Sequence, residues 1–82
     1  MLEELLDVLE DLASKIPTDK ISAFFSWCSS FVSTVALYAY YYGGQIINWV
    51  KDHGADVANM FLKGWSAYKA VQEILKHFGI NI

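Results

Sequence analysis

The stretch Ile21–Val50, ISAFFSWCSSFVSTVALYAYYYGGQIINWV, decides how this 82-residue chain reads: its thirty residues include no Asp, Glu, Lys or Arg. A bilayer-crossing helix needs about 20 predominantly apolar residues, so the block is long enough to span. It is not purely oily, because Ser22, Ser26, Ser29, Ser30, Ser33, Thr34, Gln45 and Asn48 interrupt it. Ser22, Ser26, Ser30 and Thr34 recur every four residues and form a ridge of small side chains on one helix face. Phe24, Phe31, Val35, Tyr38 and Tyr42 lie largely on another face. A strand over Phe31–Tyr42 is rejected, since neither a clean two-residue alternation nor a hairpin turn is present. Small residues at this spacing let two helix backbones approach closely, and their hydroxyls can bond the carbonyl four residues back. A solvated serine face is the alternative. The lack of any charge among the serines favours the packed ridge.

Charge flanks this block unequally. Residues 1–20 carry six acids against two lysines, and residues 51–82 carry four lysines against three acids. In the first segment Leu2, Leu5, Leu6, Leu9, Leu12, Ala13 and Ile16 fall at helical spacing, so residues 1–16 read as an acidic amphipathic helix. Pro17 ends it, and Thr18 or Asp19 is placed to cap a second helix over 19–42. Gly43-Gly44 reads as a turn or kink. Beyond it a helical stripe runs from Ile46 and Val50 through Val57, Met60, Phe61, Trp65, Val71 and Leu75 to Phe78. This predicts a third helix over 45–78, interrupted but not ended by Gly54 and Gly64 and closed at Gly79. The short tail Ile80-Asn81-Ile82 should dock on a neighbour. The expected fold is all-α, a single domain of residues 1–82. A short N-terminal amphipathic helix precedes a long helical hairpin that is stable mainly in a polymer or a membrane. The acidic N-terminus and the late start of the apolar block argue against a cleavable signal peptide.

Composition narrows the function classes. The chain is 55% hydrophobic with a mean hydropathy of +0.28, which excludes an intrinsically disordered protein. A single cysteine excludes an internal disulfide framework or a multi-cysteine metal site. Six lysines, no arginine and a net charge of −3 argue against a reader of duplex DNA. No constellation carries catalysis. Asp7, Glu10 and Asp11 read as solvated charges, and His53 and His77 lack the convergent partners that a metal needs. Cys28 has no neighbouring base in sequence and reads as a small hydrophobe. Neither a catalytic set, a metal site nor a cofactor is expected.

What remains is surface. A two-helix hairpin cannot bury 13 aromatics within itself, so Trp27, Tyr38, Tyr42, Trp49, Phe61, Trp65 and Phe78 are candidate contacts to other copies or to lipid. Lys51 and Lys63 read as solvated or snorkelling charges, or as a ring of positive charge facing a lumen if the chain polymerises. In layout, the helices on either side of Gly43-Gly44 resemble the small pilins of conjugation and DNA-transfer pili. That resemblance covers roughly residues 19–78. It implies a subunit that starts in a membrane and polymerises into a cell-surface filament, with bound lipid and with nucleic acid only as cargo. The acidic front, apolar middle and basic tail also look like coat proteins of filamentous viruses. A small membrane-embedded protein of holin or accessory type and a soluble helical interaction module are the other readings.

Overall fold

Leu2, Leu5, Leu6 and Leu9 on one side, and Glu3, Glu4 and Asp7 on the other, give helix α1 (Leu2–Glu10). The two glutamates sit in its first turn, at the positive end of the helix dipole. The computed structural model describes residues 1–82 as five α-helices, with 3₁₀ turns between α1, α2 and α3 and with no strand. After α1 the chain tightens into a 3₁₀ turn, Asp11–Lys15, and Ile16 becomes extended ahead of Pro17. The next element is a 3₁₀ turn, Thr18–Lys20, leading into α2 (Ile21–Tyr38). No side-chain cap from Thr18 or Asp19 forms at this start.

The Gly43-Gly44 break is corrected. The chain turns earlier, at Ala39 and a 3₁₀ turn formed by Tyr40–Tyr42, and both glycines belong to the first turn of α3 (Gly43–Asp52). Gly43 is buried, and a Cβ there would lie 2.6 Å from the Met1 sulfur. The end of the Met1 side chain fills the space beside Gly43, and a Cβ there would displace that flexible chain end.

The single helix over 45–78 is likewise corrected to three: α3, α4 (Gly54–Leu62) and α5 (Ala67–Lys76). His53, at φ −129° and ψ 41°, leaves the helical region and redirects the chain. The second break centres on Gly64, at φ +84°, a conformation that favours glycine. Ser66 then starts α5, its Oγ accepting the Lys69 backbone N–H at 3.1 Å. At the far end Gly79 (φ +75°) closes α5, and the Ile80 N–H donates to the Leu75 carbonyl at 3.0 Å. The tail docks on its own chain, where Ile80 and Ile82 pack against the core.

The folding-back of α3, α4 and α5 supplies cover that a two-helix hairpin lacks. Helix α2 packs against α5 and α1, and α1 also against α3. Twenty hydrophobic residues form one core, with Leu5, Leu9, Phe24, Phe31, Ile46 and Ile74 fully enclosed. The radius of gyration is 11.4 Å, against about 12 Å expected for a folded domain of this length. Trp27 and Phe61 serve this interior. Phe24 stacks on Trp27 with centroids 6.0 Å apart and meets Phe61 edge-on at 5.1 Å. The Trp27 indole N–H also donates to the Trp65 carbonyl at 2.9 Å, tying α2 to the loop between α4 and α5.

Cys28 lies in this core with no exposed surface. Burial, reinforced by the Glu10 carboxylate, pushes its thiol up to about 12 from an ordinary 9.0. The thiol should resist alkylation in the folded chain and react once denaturant exposes it, which mass spectrometry would show. Because the folded value lies above the unfolded one, the stability tied to this thiol is fully present below pH 9.0 and is lost as pH rises towards about 12. A Cys28→Ala chain should show a shallower alkaline decline in its unfolding midpoint.

Candidate functional site

Two places remain outside the core: the outer face of α2 and a cleft between α3, α4 and the end of α5. In α2, Phe24, Cys28, Phe31 and Val35 recur at spacings of three and four and point inward. The opposite face is thereby turned to solvent, carrying Ser22, Ser26, Ser29, Ser30 and Ser33. Thr34, the fourth residue of the ridge, is half-buried, and its hydroxyl donates to the Ser30 carbonyl at 2.8 Å. No helix of the same chain covers the serines. Phe25 flanks the ridge at one end, while Leu37 (76% exposed) and Tyr41 (96% exposed) flank the other. Thr18–Tyr38, at a mean hydropathy of 1.4, is long and apolar enough to cross a membrane, a composition shared by core helices and signal sequences.

The remaining predicted contact residues divide between interior and surface. Tyr42, Trp49 and Trp65 are half-buried against the core, while Phe78 is exposed. Tyr38 is exposed but meets Tyr68 edge-on at 5.4 Å. Lys51 pairs with Glu4 at 3.1 Å on the surface, a contact worth about 0–1 kcal/mol. Lys63 makes no ion pair and faces the cleft.

That cleft is half-open and has a volume of about 280 Å³. Trp49 and His53 form one wall, their rings stacked 4.2 Å apart, with the His53 Nδ1 3.0 Å from the Trp49 carbonyl oxygen. His77 brings the end of α5 to the same indole, with centroids 5.2 Å apart. One face of α4 supplies Asp56, Asn59 and Met60, and its C-cap residue Lys63 follows at helical spacing. Trp65 closes the far side, with the Lys69 Nζ 4.4 Å from its ring centroid. No three His, Cys, Asp or Glu side chains converge to hold a metal ion.

Sequence reasoning missed this cleft. The Asp56–Asn59–Lys63 spacing was visible on one helix face, but treating 45–78 as continuous concealed the breaks that bring His53 and His77 to one indole. Gly64 is the joint that places Trp65. With no neighbour within 4 Å, a Cβ at that position has space, and the strain is in the backbone alone. Gly64→Ala should therefore cost about 1–2 kcal/mol in denaturant unfolding. Comparison with family models, curated proteins and solved structures found no match for this chain.

Proposed function

We propose that this protein is a structural subunit whose copies assemble through the outer face of α2. The observation that supports this reading is the charge-free surface of that helix. Its 18 residues extend about 27 Å without an Asp, Glu, Lys, Arg or His, in a chain of net charge −3. A charge-free serine face bordered by the exposed Phe25, Leu37 and Tyr41 is where another chain can pack closely. A neutral face also suits a partner identical to itself, because two copies of an acidic chain then meet without facing like charges.

The face has complementary relief. With two α2 helices antiparallel about a two-fold axis between Ser29 and Ser30, residue i lies opposite residue 59 − i. Leu37 then faces Ser22 of the other copy, Phe25 faces Thr34, and Ser26 faces Ser33. Large side chains meet small ones, and the serines allow close approach. Such a pair is closed, so growth into a filament takes a second contact, for which the exposed Tyr38, Tyr40 and Tyr41 are suited.

A cell-surface filament of the conjugation-pilus type, with its subunits held at a membrane before assembly, is the narrower form of this proposal. Its support is the apolar length of α2, while the hairpin about Gly43-Gly44 that suggested it gives way to five helices. Lipid is the competing cover for the same face. Electron microscopy of detergent-free material should show ordered assemblies, and filaments would select the pilus form. Discrete particles that persist only in detergent would select lipid instead.

A further inference from the structure

We propose that the cleft between α3, α4 and the end of α5 binds a small zwitterion, its cationic end at Asp56 and its anionic end at Lys63. Opposite charges lie at the two ends of the helix face that lines this cleft. Asp56 in the first turn of α4 and Lys63, its C-cap, lie seven residues apart, roughly 10.5 Å along the helix axis, with Asn59 between them. They are too distant to neutralise each other, and neither forms an ion pair elsewhere. The screening length is about 8 Å at physiological salt, so each acts as a separate local charge.

Beside the cleft, the Lys69 Nζ lies 4.4 Å from the Trp65 ring centroid. The imidazoles of His53 and His77 face the cleft from α3 and from the end of α5. A simple anion would be held by Lys63 but repelled from the Asp56 end, and a simple cation would meet the reverse. A short ligand bearing both charges satisfies both ends, with Asn59 offering an amide between them. Trp49 and Trp65 provide apolar walls for the connecting atoms. The volume of about 280 Å³ sits at the small end of ligand pockets and suits a compact molecule such as phosphocholine or a dipeptide.

The test is an NMR titration that follows the indole N–H signals of Trp49 and Trp65. The probes are phosphocholine and glycylglycine, with choline and inorganic phosphate as half-ligands. At least one zwitterion should shift both signals saturably, and each half-ligand should bind about tenfold more weakly or worse. Asp56→Asn and Lys63→Gln should each weaken the zwitterion by a similar factor while leaving the helical circular dichroism unchanged, since both side chains are exposed. Co-sedimentation with phosphatidylcholine vesicles separates the sources. Vesicle binding lost in both variants assigns a lipid headgroup, and response to soluble zwitterions alone assigns a free metabolite or peptide. Phosphate binding as tightly as phosphocholine with no effect of Asp56→Asn, or no response to any probe, would overturn the proposal.

Discussion

Phe24→Ala should lower the stability of the folded chain by about 3–5 kcal/mol, the cost of removing a fully enclosed aromatic ring. The ring is fully buried, stacks on Trp27 and meets Phe61 edge-on. Its removal takes away burial energy and leaves a cavity between α2 and α4 that rigid neighbours cannot fill. Each kcal/mol shifts the midpoint of a domain this small by about 4–8 °C, so the loss in Tm should exceed about 12 °C. Phe25 provides the control. It is the next residue, has the same chemistry and is 39% exposed, so Phe25→Ala should cost about 1 kcal/mol or less. The contrast tests the inward face of α2 directly. Similar losses at both positions in thermal denaturation would mean that α2 does not lie in the bundle as described.

Ser30→Glu should abolish self-association while leaving the fold intact. Ser30 is exposed, its carbonyl accepts the Thr34 hydroxyl, and its own side chain supports nothing in the core. In the antiparallel register the substitution brings two carboxylates towards each other across the axis of a tightly packed ridge. Juxtaposed like charges cost several kcal/mol at an interface, and every 1.4 kcal/mol is about tenfold in affinity. A loss of association of about 100-fold or more is expected in sedimentation equilibrium. Ser26→Glu, opposite Ser33 rather than near the axis, should have a smaller effect. The helical circular dichroism and the unfolding midpoint of both monomers should stay close to the parent value. Unchanged assembly of both variants would show that this face is not the contact.

The all-helical class was legible because the leucines of α1 and the Phe24–Phe31–Val35 stripe of α2 carry helical periodicity on their own. Pro17 and Gly79 punctuated the chain as expected, since a fixed proline φ and a left-handed glycine act locally. Gly43 misled because the chain already turns at Ala39 and Tyr40–Tyr42, so the glycine pair falls inside the first turn of α3. The continuous stripe over 45–78 also misled. Apolar residues remain in phase across His53 and Gly64 because α3, α4 and α5 all face one core, so periodicity marks burial rather than an unbroken helix. The outer face of α2 was readable from the serine spacing and the missing charges. The cleft was not, since Trp49 and His77 meet only across the two helix breaks at His53 and Gly64.

The most direct test of the α2 face as a contact between copies is the mass of the unmodified chain in detergent-free solution, measured by sedimentation equilibrium across a wide concentration range. The account predicts a weight-average mass that rises above the 9.3 kDa of one chain as concentration increases, and that Ser30→Glu returns to 9.3 kDa. A mass that stays at 9.3 kDa at the highest concentration reached would contradict it.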